Sequence, residues 1–596
     1  SQLEQSIQSW GSSDTRNIFG DPLMGVSASV PGLSRMNPAP AAAAPLESVV
    51  PMLPITRPAS PWDHGAMLFR TPDGKLMPFQ PGSSLQSAHV TLGFAPMGQG
   101  KSVLLNAQNF STALRAGIDK LPFMSILDIG PSSSGLISLL QHSLPESKRY
   151  LAQYHRLQMT PEYAINPFDT PLGLKKPLPD HRAMLTNLLI ALSTEAGSTK
   201  VESGISGICT AVVDLVYDIF SPQRTPKRYD PNQDPQLAET VKRQDIPIDH
   251  ATTWWEVVDA FFERGLYEDA SRAQRYAVPL LGDCASAVRD ESITTVYKGT
   301  TSSNESMTDY VWRMISEALN MFPILAQPTR FDLGNARVVS LDLDEVCPKG
   351  SAQADRQTGI MYMLGRYVLA ERYYFGKKSV PAFEEKYRAY HLERAAEIAS
   401  ELKVLCMDEF HRTEGAPAVR AQVVRDIREG RKWSIAVTLV SQNVDDFDDV
   451  MRDLSLTRFA LGANTKNDAE KVVNRFALTP SAADIIYNRI NKPGRKGAGC
   501  YFSAATSRGN NEMFVYLTLG AAEMWAFDST AENRALRDLL YERLGARRAI
   551  ELLVKHFPSG SAVEVIERRR AEMDSDTDIQ GRSIIATLAE ELLTAA

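Results

Sequence analysis

The stretch His89-Val-Thr-Leu-Gly-Phe94-Ala95-Pro96-Met97-Gly98-Gln99-Gly100-Lys101-Ser102-Val103 governs the reading of the whole chain. Val90, Leu92 and Phe94 alternate as a short strand requires, and beyond the turn Val103, Ala107, Phe110 and Leu114 share one helical face. Between strand and helix, Ala95 to Ser102 has the pattern of a phosphate-binding (Walker A) loop, with alanine at the first glycine position. Such a loop points backbone amides at phosphate oxygens, glycines permit the close approach, and the helix N-terminus adds a favourable dipole. Lys101 is the cation for the β- and γ-phosphates and the Ser102 hydroxyl a ligand for Mg2+; Pro96 to Gly100 and Val103 complete the assignment to ATP binding. Next comes Phe123-Met-Ser-Ile-Leu-Asp128, another apolar run of strand length. The order strand, turn, helix, strand opens an α/β sheet.

A nucleotide hydrolase also needs a carboxylate at the end of a neighbouring buried strand, and two segments compete. Val338-Val-Ser-Leu-Asp342-Leu-Asp344-Glu345 has the right ending, but Asp342 interrupts its apolar run. Lys403-Val-Leu-Cys-Met-Asp408-Glu409 has four unbroken apolar residues, as a central parallel strand should, and is preferred. Asp408 then holds Mg2+ through water and Glu409 polarises the attacking water; the plainer reading is a strand end with two solvated acids. Ser434 to Ser441 is a further strand ending in Gln442, which either senses the γ-phosphate and orients water or simply caps the strand. Between these strands lie Arg412, Arg420, Arg425, Arg428, Arg431 and Lys432. They form either a solvated helix with internal ion pairs or, through Arg425, Arg428 or Arg431, a finger that completes the site of a neighbouring subunit.

Outward from these motifs, the 596 residues have ordinary globular composition: 43% hydrophobic, 23% charged, net charge -7. That excludes a mainly disordered or fibrous protein, and no overall basic excess marks a sequence-independent nucleic-acid binder. The five cysteines form no CxxC pair, which argues against a structural zinc site and a disulfide framework. No apolar run approaches 18 residues, so no transmembrane segment is expected. Residues 1–61, with Pro31, Pro38, Pro40, Pro45, Pro51, Pro54, Pro58 and Pro61, read as an extended Pro/Ala-rich linker or strap without helix. Residues 62–171 and 331–529 read as two parts of one ATPase domain, with a mainly parallel, helix-covered sheet. Residues 172–330 read as an all-α insertion in which Ser221 to Pro247 is a flexible polar loop, and residues 530–596 as a helical tail broken at Gly545 and Pro558. The start at Ser1, without methionine, carries the expectation that an N-terminal part is missing.

With Ala95 to Ser102, Val404 to Phe410, and Glu429-Gly-Arg431-Lys432 leading to Ser441-Gln442, the chain resembles the largest cytoplasmic ATPase of type IV secretion and conjugation systems. It is most similar to the Dot/Icm and IncI-conjugation branch (IcmB/DotO-like) at Arg57 to Trp62, Arg70 to Gly74, Phe476 to Pro480, Leu519 to Ala526 and His556 to Ala562. It departs from that pattern at Ala95 and at Phe410-His411. The resemblance implies a RecA-like P-loop NTPase using ATP and Mg2+ at the cytoplasmic face of a bacterial inner membrane. It further implies a six-membered ring that meets other secretion-apparatus subunits and drives apparatus assembly or transfer of protein or DNA. A DNA translocase of the same superfamily and a nucleotide-gated scaffold with little turnover are the alternatives.

Overall fold

The computed structural model describes residues 21–30, 32–36, 45, 60–115, 117–198, 201–494, 496–572 and 578–594. The chain divides into two units, Ser1–Pro58 and Ala59–Ala596. In the first, most of the expected strap lies outside the described residues, and the part described corrects the reading of it as helix-free. A helix spans Pro22–Ser29, where Asp21 accepts from the Leu23 amide as N-cap and Pro22 takes the first position, the two residue types that open a helix without loss.

Among the described residues, the second unit is built on one 11-stranded sheet. Its strands are β1 (Met67–Arg70), β2 (Leu76–Phe79), β3 (Val90–Phe94), β4 (Phe123–Asp128), β5 (Ala152–Arg156), β6 (Val338–Asp342), β7 (Lys403–Met407), β8 (Ile435–Ser441), β9 (Thr457–Ala460), β10 (Ala498–Thr506) and β11 (Gly509–Leu517). They lie in the order β2-β1-β11-β10-β9-β3-β8-β7-β4-β6-β5. From β9 to β5 every pairing is parallel, while β10, β11, β1 and β2 add an antiparallel wing. The mainly parallel, helix-covered α/β sheet expected from the sequence is therefore present.

The central strands are buried on both faces, so they are mostly apolar, with small polar residues such as Ser125 and Thr438 among them. Along β4, Phe123 and Leu127 enter one core while Met124 and Ile126 enter the other. One core holds the helices of the 179–321 region together with Ala352–Ala370 and Pro417–Trp433. The other holds Lys101–Ala113, Ser134–Ser143 and the C-terminal helices. Residues 172–330 contribute no strand to the sheet among the described residues, and their core is continuous with that of one sheet face.

The stretch Ser221 to Pro247 is not the flexible loop expected from its polarity. It contains the helix Pro235–Arg243, capped by Asp234, with Leu237, Ala238 and Val241 buried. Arg272 pairs with Asp234 at 2.6 Å and Lys227 with Asp283 at 2.8 Å, fastening the stretch to its neighbours.

The helix that begins at Lys101 is held from behind. Phe110 meets Phe527 edge-on at 5.7 Å, and Trp525, fully buried, donates from Nε1 to the Phe557 carbonyl at 3.1 Å. At Gly135 a Cβ would fall 1.7 Å from the Ala526 carbonyl oxygen, so only glycine lets these helices approach this closely.

Candidate active site

Parallel register brings three sequence-distant segments level at the carboxyl ends of adjacent strands. Phe94 of β3 pairs with Ser441 of β8, Leu439 of β8 with Met407 of β7, and Leu127 of β4 with Met407. The chain leaves β3 toward β4 on one side, whereas β8 feeds β9 on the other. Open α/β sheets form their ligand crevices where connections diverge in this way.

The phosphate loop crosses that crevice. Gly98 and Gly100 have φ of 76° and 87°, left-handed values that expose successive amides. Pro96 is buried, Met97 exposed, and Gln99, Ser102 and Val103 half-buried. Gln99 Oε1 is sealed from solvent with no hydrogen-bond partner, an unused acceptor in the loop wall.

Lys101 Nζ lies 2.8 Å from Asp408 Oδ1 and in close contact with Glu409 Oε1. Gln442 Nε2, from the end of β8, donates to Glu409 Oε2 at 2.8 Å, and the Glu409 amide donates to Asp408 Oδ1 at 2.8 Å. The structure thus gathers Lys101, Asp408, Glu409 and Gln442 into one cluster. Glu409 occupies the left-handed region at φ 52°, a backbone state that a non-glycine residue adopts at a cost of about 1–3 kcal/mol and that concentrates at working sites. His411 Nδ1 stands 3.1 Å from Glu409 Oε2 without a hydrogen bond.

Burial works against the charges of Lys101 and Asp408. It depresses the Lys101 ammonium, but the carboxylates of Asp408 and Glu409 outweigh that and raise its pKa above the ordinary value. Asp408 is itself raised, first by burial and then by Glu409, with Lys101 opposing. The cluster therefore holds together by mutual compensation.

Asp342, Asp344 and Glu345 stand elsewhere. Asp342 ends β6, beyond β4 from β7, and Asp344 and Glu345 follow it and pair with Arg156 at 3.7 and 3.2 Å. The arginines also stay outside the cluster. Arg425 Nη2 binds Asp180 at 2.6 Å and its Nε binds Glu429 at 3.0 Å. Arg428 and Arg431 are exposed near the C-terminal end of Pro417–Trp433, and Arg431 acts on His89 at the opposite edge of the sheet.

One residue beside the cluster went unassigned in the sequence. Asp128 ends β4 next to Asp408. Its Oδ2 accepts from Ser132 Oγ, the Ser133 amide and Ser133 Oγ, while Oδ1 is buried without a partner. Burial and the neighbouring Asp408 raise its pKa to about 7. Its signal was the acid closing an otherwise apolar strand. The segment around Pro493 and Ala498 also packs against the loop, both side chains lying 3.5 Å from where a Cβ of Gly100 would be.

The structure of VirB4 of Thermoanaerobacter pseudethanolicus is similar to this chain. The match has 14% sequence identity and a TM-score of 0.47, covering 77% of this chain and 97% of that one. No family model and no curated protein matches the sequence.

The donor set fits Mg2+ and nucleotide. No group of three or more His, Cys, Asp or Glu side chains that could hold a metal occurs among the described residues, so an all-protein metal cage is not what the crevice offers. It offers the Ser102 hydroxyl, the buried Asp408 carboxylate with Asp128 beside it, Lys101 and a glycine-rich loop, a set suited to holding Mg2+ jointly with phosphate oxygens. Among the described residues, no helix is long and apolar enough to cross a membrane.

Proposed function

We propose that this chain is an ATP-hydrolysing, RecA-like motor of a type IV secretion or conjugation system, of the Dot/Icm and IncI-conjugation kind. The observation that carries the hydrolase reading is the convergence of Lys101, Gln442 and the Asp408-Glu409 pair from three adjacent parallel strands. The secretion-system reading rests on the sequence resemblance at Arg57 to Trp62, Leu519 to Ala526 and His556 to Ala562.

In the mechanism, the amides of Gly98 to Ser102 hold the β- and γ-phosphates, and Lys101 turns from the carboxylates toward them. Ser102 and Asp408 are the residues to hold Mg2+, which when bound offsets charge on the phosphate oxygens. Glu409, relieved of Lys101, accepts a hydrogen bond from the attacking water and orients it, and Gln442 keeps the carboxylate in place. Asp408 keeps the Glu409 amide fixed, which sustains the left-handed turn that aims this side chain.

Assembly into a six-membered ring at the cytoplasmic face of the inner membrane is part of the proposal. With Arg425 committed to Asp180 and Glu429, exposed Arg428 and Arg431 are the arginines left to act across a subunit boundary. The test is ATP turnover as a function of protein concentration, with and without DNA. Turnover per subunit rising with concentration supports the ring motor. Strong DNA stimulation that fades with salt favours a DNA translocase, and binding without turnover at every concentration favours a scaffold.

A further inference from the structure

The amino-terminal edge of the sheet, opposite the edge that carries Lys101, bears a cavity of about 1020 Å3. Phe123 at the start of β4, Arg337 just before β6, and the last residues of Lys101–Ala113 and Glu385–Ser400 form its walls. Seven lysines and arginines line it against three carboxylates, in a chain whose net charge is -7. A local excess of this size in an acidic protein focuses a field that draws anions.

Only some of these cations are answered. Lys120 and Arg337 share Glu397, Arg337 also reaches Glu401, and Lys386 binds Asp259. Arg115, Lys148, Arg372 and Arg394 have no carboxylate partner among the described residues. Arg337 and Arg372 both stack on Phe123, their guanidinium carbons 4.1 and 4.8 Å from the ring centre. Arg372 Nε is sealed from solvent without a hydrogen-bond partner. Arg372 Nη2 donates to the Ala336 carbonyl at 2.9 Å and Arg394 Nη1 to the Tyr390 hydroxyl at 2.6 Å, neutral partners that offset no charge. Guanidinium groups do not shed their charge, so an anion would stabilise this crowding. Beside them, Tyr267, 41% exposed, packs on Tyr390 at 4.7 Å, and Arg394 lies over Tyr390. Exposed aromatic faces set among arginines hold a base and its phosphate together.

We propose that this cavity binds a phosphate-bearing nucleotide, its phosphates on Arg372 and Arg394 and its base against Tyr267. Either a free nucleotide or a segment of single-stranded nucleic acid supplies that chemistry. The site is separate from the phosphate loop and does not depend on the hydrolase reading.

The test titrates the full chain into three fluorescent probes. These are fluorescein-labelled dT12, mant-AMP (which lacks the β- and γ-phosphates that the phosphate loop holds) and fluorescein-labelled polyglutamate. Arg394→Glu, alone and with Lys148→Glu, reverses exposed charges at the cavity, and Lys466→Glu is an exposed control on another surface. Binding of dT12, mant-AMP or both is expected, and whichever binds identifies the source. Arg394→Glu should weaken it about tenfold or more, with Lys466→Glu leaving it unchanged. For dT12, each cavity cation removed should also lower the salt slope by about one. Should the reversal unfold the protein, Tyr267→Ala at the exposed ring must still weaken binding. The proposal is overturned if neither nucleotide probe binds, if only polyglutamate binds, if the cavity variants bind normally, or if Lys466→Glu weakens binding as much as they do.

Discussion

Replacing Lys101 with methionine keeps the aliphatic stem and removes the ammonium that compensates Asp408 and Glu409. In the structure the Asp408 side chain is 2% exposed and that of Glu409 19%, so the cost falls mainly on Asp408, for which water is no substitute partner. Asp408 can stay ionised without its cation, and breaking a buried pair costs about 3–5 kcal/mol. Alternatively it can take up a proton. From an ordinary value of 3.8, holding a proton near pH 7 costs about 4 kcal/mol, at about 1.4 kcal/mol per pH unit. The smaller of the two sets the deficit, so Lys101→Met should lose about 3–4 kcal/mol near pH 7. The folded pKa of Lys101 is raised, so its own contribution is complete through the neutral range and disappears only as pH rises through that value. The acid side belongs to Asp408, whose folded pKa is also raised, so folding favours its protonated form on acidification. The deficit should therefore shrink to about 1.5–2 kcal/mol near pH 5. Urea unfolding without nucleotide, followed by tryptophan fluorescence near pH 7 and pH 5, measures both values. Equal stability of variant and wild type near pH 7, or a deficit of the same size at both pH values, would refute the reasoning.

Asp128→Asn removes a carboxyl whose folded pKa is about 7. From about pH 4 to 7 the folded state keeps a proton that the unfolded chain has released, so wild-type stability falls as pH rises. The variant should gain on the wild type by as much as about 4 kcal/mol across that window, and unfolding curves that fall in parallel would contradict this. Gly135→Ala drives a methyl group into the Ala526 carbonyl and should cost about 3 kcal/mol or more, read as a lowered melting temperature. Gln442→Ala should retain ATP binding and lower the turnover number, because Glu409 loses its 2.8 Å donor; unchanged turnover would return Gln442 to a strand cap. Arg428→Ala and Arg431→Ala together should reduce turnover by about three to five orders of magnitude. Mixing that variant with Glu409→Gln should restore activity if the arginines act across subunits, and no recovery in co-assembled rings assigns them to a solvated helix.

The parallel core was legible because β3, β4, β7 and β8 are buried on both faces and are mostly apolar, and because the glycines are followed by Lys101-Ser102 between a strand and a helix, the pattern of a phosphate loop. The edges were not. β5 reads Ala-Gln-Tyr-His-Arg, since it is the end strand of the sheet among the described residues, and β2 carries Pro78, a residue tolerated at an edge. The helix Pro235–Arg243 announced itself through Asp234-Pro235, a cap followed by a first-turn proline, but the polar surroundings outweighed that signal. The contact of Lys101 with Asp408-Glu409 spans 307 positions, and only the strand order β3-β8-β7 makes it. The left-handed turn at Glu409 leaves no mark in local sequence, and at Asp128 the sequence shows the acid closing the strand but not that one of its oxygens lacks a partner, because tertiary packing imposes both.

The central claim is that Glu409 activates water at a site where Lys101 and the loop hold ATP. Glu409→Gln changes a charge and almost no volume, leaves Gln442 an oxygen to donate to, and spares Lys101 its pair with Asp408. ATP binding and single-turnover hydrolysis measured on this variant test the claim directly. The account predicts ATP bound at least as tightly as by the wild type, with cleavage reduced by a factor of about 100 or more. Cleavage at the wild-type rate by Glu409→Gln would contradict it and move the search for the base away from β7.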